Sequence, residues 1–205
     1  AVETLRTDKR PFFTQDISVF SIPSERNTKL IHTRRIGAGS DDNSELITPS
    51  DVAARFVHQG ENLQVAGFAV AEDNLASDAG KEFYAGRINY TQQTAQKNWQ
   101  TGVLATKTKR PWLDRDAYSY AWASPYQSDT WSGQVALMHT DIREQGISTQ
   151  GTGISLNAKY QFNVNTSISA NYLRLDDSFD NNDLGYSERN NWRASEINFS
   201  HAINT

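Results

Sequence analysis

The sequence predicts an all-β protein, an antiparallel meander of about ten long strands forming part of a transmembrane β-barrel. Three observations carry that expectation. From about Val52 to Ile203, segments of roughly ten residues alternate apolar and polar side chains and end in polar turns. In Trp131-Ser132-Gly133-Gln134-Val135-Ala136-Leu137-Met138 the odd positions carry Trp, Gly, Val and Leu, while Ser132 and Gln134 stand at even ones. Likewise, Ile154, Leu156, Ala158, Tyr160 and Phe162 alternate with Ser155, Asn157, Lys159 and Gln161. Period two puts the two sets on opposite faces of a strand. The second observation is composition: only 37% of residues are hydrophobic and mean hydropathy is -0.66, yet 11% are aromatic, with five Trp, eight Tyr and nine Phe. A polar lumen and aromatic girdles give an outer-membrane barrel that balance. The third is segment length, because soluble sandwich strands usually run only about five or six residues.

The elements follow in order. Residues 1–26 hold short apolar pieces, Pro11-Phe12-Phe13 and Ile17 to Phe20, without long alternation, and read as an entry or plug-like segment. Residues 27–205 read as barrel strands. Lys29 to Ile36 is the first candidate strand, ended by the polar stretch Gly37 to Asn43. Thr48-Pro49-Ser50-Asp51 has the form of a helix start, but Gln59-Gly60-Glu61-Asn62 looks like a tight turn into Leu63 to Glu72, which favours a hairpin from Val52. Further strands are expected at Phe83 to Gln93, Asn98 to Lys109, Ala117 to Ser124, Thr130 to Asp141, Gly151 to Gln161, Thr166 to Asp176 and Trp192 to Ala202. Short turns at Thr94 to Lys97 and Asn163 to Asn165 contrast with longer polar stretches at Asn74 to Lys81, Glu144 to Gln150 and Asp177 to Asn190. In outer-membrane barrels the short turns face the periplasm.

The alternation assigns faces. Tyr84, Gly86, Ile88 and Tyr90, then Trp131, Gly133, Val135 and Leu137, then Ile154, Leu156, Ala158 and Tyr160 are the expected lipid-facing sets. Arg87, Asn89, Gln134, Asn157, Lys159 and Asn171 fall to the lumen. An Arg or Lys facing lipid at the bilayer midplane would cost about 2–4 kcal/mol, so Arg87 and Lys159 belong inside.

Composition excludes several classes. No stretch approaches the apolar length of a membrane helix, about 18 residues or more. Ala1 to Arg10 contains Glu3, Arg6, Asp8, Lys9 and Arg10 and no apolar signal core, so the expectation is a processed chain or a fragment. The absence of cysteine removes disulfides, thiolate zinc sites and cysteine nucleophiles. A net charge of -4 and pI of 5.6 give no broad basic surface for nucleic acid.

No nucleophile elbow, phosphate loop or zinc-protease motif occurs, so no catalytic residue, metal ligand or cofactor is assigned. His32, His58, His139 and His201 lack metal-ligand spacing. Asp176-Asp177-Ser178-Phe179-Asp180-Asn181-Asn182-Asp183 is dense in carboxylates, as calcium loops are, but its spacing does not match an EF-hand and a hydrogen-bonded loop is the better reading. Arg34 or Arg35 is expected to pair with Asp180 or Asp183 in bidentate geometry.

Two passages stand out. Lys9-Arg10-Pro11-Phe12-Phe13 is followed by Thr33-Arg34-Arg35-Ile36-Gly37, and Phe179-Asp180-Asn181-Asn182-Asp183-Leu184-Gly185-Tyr186 by Arg189-Asn190-Asn191-Trp192. Together they resemble the bacterial domain-of-unknown-function family 5916, with Arg-Pro-Phe-Phe, Arg-Arg-Ile-Gly, Phe-Asp-Pro-Asn-Asp-Leu-Gly-Phe and Arg-Asn-Asn elements in the same order. Thr14-Gln15-Asp16 departs from its usual Leu-Glu-Gly, Asn181 replaces its proline and Tyr186 its phenylalanine. The resemblance implies an outer-membrane barrel, commonly preceded by a carbohydrate-binding domain similar to family-nine modules and continued by further strands. It marks Arg10, Pro11, Phe12, Phe13, Arg34, Arg35, Gly37, Asp180, Asn182, Asp183, Gly185, Arg189 and Asn190 as family-motif residues with structural roles.

The resulting expectation is a non-enzymatic protein of the bacterial outer membrane, in contact with lipid and acting in uptake or surface binding of carbohydrate or another nutrient. Carbohydrate would be met through an N-terminal domain outside this sequence. Because His201-Ala202-Ile203-Asn204-Thr205 lacks a terminal aromatic residue, the barrel is expected to be incomplete, with two unpaired edges. The competing classes are a membrane-associated glycan-processing hydrolase and a soluble all-β binding module.

Overall fold

The computed structural model describes residues 10–14, 17–22, 28–39, 41, 48–74 and 79–203. Nine antiparallel strands form one sheet, and each pairs with its neighbours in sequence order. They are β1 (Ser50–Gln59), β2 (Leu63–Glu72), β3 (Glu82–Gln93), β4 (Lys97–Arg110), β5 (Arg115–Ser128), β6 (Trp131–Glu144), β7 (Ile147–Asn163), β8 (Thr166–Leu175) and β9 (Trp192–His201). The all-β meander is therefore as the alternation predicts, and β1 begins where a helix start had competed with a strand. Among the described residues, β1 and β9 are the edges.

Two expected elements differ. Lys29 to Ile36 is not a strand. It holds a single bridge from Lys29 to Tyr186 and a 3-10 turn at Thr33–Arg35. Its hydrogen bonds go to a distant loop: Lys29 and Tyr186 exchange both N–H···O bonds at 2.7 Å, and His32 N donates to Leu184 O at 2.6 Å. The stretch Glu144 to Gln150 is not a long loop. β6 and β7 run on to a two-residue turn in which Gln145 and Gly146 both have positive φ, 50° and 78°. Two successive left-handed residues give the turn whose twist matches a hairpin. The polar residues on either side are strand ends, and their polarity resembles that of a loop.

The two faces differ along every central strand. On β3, Phe83, Ala85, Arg87 and Asn89 are buried, while Tyr84, Gly86, Ile88 and Tyr90 are exposed. Residues opposite one another in the ladder share a face, so rows cross the sheet. An outer row runs Val65, Ile88, Val103, Trp122, Leu137, Ile154. The inner row beside it runs Ala66, Arg87, Leu104, Ala121, Met138, Gly153, Leu175.

The inner face carries the core, but the sheet supplies only part of it. Phe13, Phe20 and Ile22 from the N-terminal segment, with Leu30 and Ile36 from the stretch that follows it, join Phe68, Val70, Phe83, Leu104, Leu173 and Leu175 in one apolar cluster. Phe20 meets Phe68 edge-on at 5.3 Å between ring centroids. The loop between β8 and β9 adds Phe179 and Leu184. Burying each large apolar side chain contributes about 1.5–3 kcal/mol, which fixes segment and loop against this face.

Candidate functional site

The motif residues converge on one clasp, built where the N-terminal segment meets the β8–β9 loop. Arg10 joins the first two motifs. Its Nη1 donates to Ile36 O and its Nη2 to Thr33 O, both at 2.8 Å, and its guanidinium lies 4.3 Å over the Phe13 ring. Pro11, Phe12 and Phe13 open a short helical turn, Pro11–Thr14. Phe12 and Phe13 stack edge to face at 4.9 Å, and Arg55 of β1 donates to Phe12 O at 2.9 Å. Gly37 stands at φ 76°, a left-handed position that suits glycine, and its N–H donates to Glu72 Oε1 at 2.7 Å.

The loop side is equally tied. Asn182 N and Nδ2 donate to Asp180 Oδ1 at 3.0 and 3.1 Å, and Ser187 N donates to Asn182 Oδ1 at 3.0 Å. Gly185 is pressed on Lys29, whose carbonyl oxygen would lie 2.5 Å from an added Cβ. Asn190 Nδ2 donates to Asp177 O at 2.7 Å, and the Arg189 guanidinium sits 4.5 Å over Trp192. Arg34 lies in the 3-10 turn at Thr33–Arg35.

The expected bidentate pair takes different partners. Arg35 does reach the loop, through Gly185 O at 3.3 Å and Asn182 Oδ1 at 3.5 Å. Asp183 is gripped instead by Arg115, whose Nε and Nη2 lie 3.0 and 2.7 Å from its two oxygens, and by Arg110 Nη1 at 3.0 Å. Arg115 also holds Asp180 at 3.0 Å and Glu144 at 2.6 Å. Arg110 forks onto Asp41 at 2.6 and 3.0 Å. Lys81 continues the chain of charges, 3.9 Å from Asp41 and 3.8 Å from Glu72. The network therefore links the ends of β2, β4, β5 and β6 to both the segment and the loop. Burial pushes the Asp183 carboxyl up, but the hydrogen bonds and charge of Arg115 and then of Arg110 outweigh it and hold Asp183 below the ordinary carboxylate range.

The same geometry decides the carboxylate-rich loop. Asp176 Oδ2 accepts from Thr152 N and Oγ1 at 2.7 and 2.8 Å, while Asp180 and Asp183 face guanidinium and amide donors. These oxygens are directed at hydrogen-bond donors, the arrangement of a loop lock and not of a cation cage.

Away from the clasp, the outer face carries no matching network among the described residues. At the short-turn end aromatic side chains line up on it: Tyr90 with Trp99 at 6.3 Å, Trp131 with Tyr160 at 4.7 Å and Tyr160 with Phe162 at 4.8 Å. At the other end stand charged pairs, Lys107 with Asp116 at 3.5 Å and Lys109 with Glu82 at 3.3 Å. Between them lies an apolar groove of about 670 Å³ over Gly86, bordered by Phe56, Ile88, Val103, Tyr120 and Trp122.

Compared with known proteins, the chain matches no family model and no curated protein. Sequence reasoning missed Arg110, Arg115 and Asp41. Only the placement of Arg110 and Arg115 on either side of the Pro111–Leu113 turn, at adjacent strand ends, signals that their charges share one neighbourhood.

Proposed function

We propose that this sheet is part of the wall of an outer-membrane β-barrel, with its outer face in lipid and its inner face partly filled by the N-terminal segment, serving uptake or surface binding of carbohydrate or another nutrient. The observation that carries the reading is the layered outer face. On β4 the outward positions Trp99, Thr101, Val103 and Ala105 are uncharged before Lys107, and Trp99 to Ala105 covers about 20 Å along the strand at the usual rise per residue. On β6 Trp131, Gly133, Val135, Leu137 and His139 precede Asp141. Barrel walls carry an apolar band about 25 Å tall between aromatic girdles, and the groove over Gly86 has the size and polarity for an acyl chain. A soluble sheet would leave this much contiguous apolar surface open to water. The resemblance to family 5916 points the same way.

The clasp supports a structural role for the motif residues within that wall. It locks the segment and the loop inside, away from the lipid face.

The test is folding of the purified chain into phosphatidylcholine vesicles. We expect the strand signal to require detergent or bilayer, and Ile88→Arg, on the outer face, to destabilise the bilayer-folded chain by about 2–4 kcal/mol. A monomer folded in plain buffer, with Ile88→Arg harmless, would identify a soluble all-β module instead.

A further inference from the structure

Arg87 is used by nothing described so far. It lies on the inner face in mid-β3, between Ala66 and Leu104, and is 8% exposed. Its Nε and Nη1 are buried and, among the described residues, meet no hydrogen-bond partner. A guanidinium keeps its charge at any ordinary pH, so this side chain is a buried cation without a counter-charge among the described residues. Such a group is costly to a fold unless something outside the chain completes it.

The space beside it is open and polar-lined. Arg87 lines a cleft of about 370 Å³ between the inner face and Ser18, Val19 and Ser21 of the N-terminal segment. The rest of the lining is rich in neutral hydrogen-bonding groups: Gln59, Gln64, Asn89, Thr91 and Gln100. The register explains the cluster, since Gln64, Asn89 and Gly102 face one another across β2, β3 and β4, with Gln59 opposite Gln64. Gly102 has no side chain because Asn89 lies across it, its Oδ1 within 2.6 Å of where a Cβ would stand. Glu61, the one carboxylate of the lining among the described residues, sits exposed on the β1–β2 turn at the rim.

We propose that this cleft is a binding site for a small hydroxylated carboxylate, with Arg87 taking the carboxylate and the surrounding amides and hydroxyls taking the ligand's hydroxyl groups. Guanidinium and carboxylate are complementary in charge, and a hydrogen bond between them is stronger than one between neutral groups. Amide side chains offer a donor and an acceptor each, which is what a hydroxyl requires. The inference names a solute class for the uptake or binding role proposed above and rests on that reading for its biological meaning, while the binding itself does not depend on lipid.

The experiment is calorimetric titration of the full folded chain with galacturonate, galactose and inorganic phosphate. Galacturonate should bind at least about tenfold more tightly than galactose, which lacks the carboxylate, and more tightly than phosphate, which lacks the hydroxyl array. Arg87→Gln should weaken galacturonate at least about tenfold while leaving the strand signal and melting cooperativity intact, and Arg87→Lys should restore part of it. Gln100→Leu, which leaves the cation in place, should weaken galacturonate and not phosphate. Equal binding of galacturonate and galactose, equal binding by Arg87→Gln, or no binding of galacturonate at millimolar concentration would each overturn the site. A chain that binds galacturonate in plain buffer would keep this inference and overturn the membrane reading.

Discussion

Arg115 and Arg87 stand on the inner face of the same sheet, and their surroundings could hardly differ more. Arg115 directs Nε, Nη1 and Nη2 at the carboxylates of Asp183, Glu144 and Asp180, within 2.6–3.2 Å. Arg87 buries Nε and Nη1 beside amides and hydroxyls and meets no hydrogen-bond partner among the described residues. The first arrangement is closed on itself and holds chain to chain, as buried ion pairs do when every charge is answered. The second lines an open cleft whose walls carry neutral amides and hydroxyls. The difference separates a part of the inner face that maintains the fold from a part available for binding.

That comparison can be broken by removing one partner at a time. The largest effect is expected at the closed end: Asp183→Ala leaves Arg110 and Arg115 without their shared buried carboxylate and should destabilise the chain by about 3–5 kcal/mol in urea unfolding. Arg87→Met should act with the opposite sign, raising stability by about 1–3 kcal/mol, because it removes a buried donor group that has no acceptor among the described residues. Two destabilised variants would mean that Arg87 is also part of a lock.

The smallest effect is in pH. The Asp183 carboxyl is held below its ordinary range in the folded chain, so its contribution is fully present above the unfolded value of about 3.9 and is lost as pH falls through the lower folded value. The stability gap between the native chain and Asp183→Ala should therefore be constant near neutrality and narrow only below about pH 4. A gap that closes between pH 6 and pH 5, on the order of the histidine range, would assign the effect to another group.

Local pattern made the sheet legible. Alternation at Trp131 to Leu137 and at Tyr84 to Tyr90 places those sets on the outer face, because strand periodicity is a property of consecutive residues. It failed at Lys29 to Ile36, where the hydrogen bonds are set by Leu184 and Tyr186, about 150 residues away in the case of Arg35 and Gly185. It failed again at Glu144 to Gln150, where the strand ends, Ile147 apart, are polar on both faces and the turn signal is the single pair Gln145-Gly146. The motif residues were legible as structural, yet the partners of Asp183 were not, since Arg110 and Arg115 reach it only after five strands have been laid side by side. Arg87 could be placed inside from its apolar neighbours. That it meets no counter-charge among the described residues is set by three-dimensional packing.

The central claim is that the outer face of this sheet lies against lipid. Brominated phospholipids test it directly, using two variants that each keep one tryptophan, Trp122 in mid-β5 or Trp131 at the short-turn end, with the other four replaced by phenylalanine. The account predicts that Trp122 is quenched most by bromines near the acyl-chain ends and Trp131 by bromines near the headgroup. Unquenched fluorescence from both, in protein whose strand signal shows that it is folded, would contradict it.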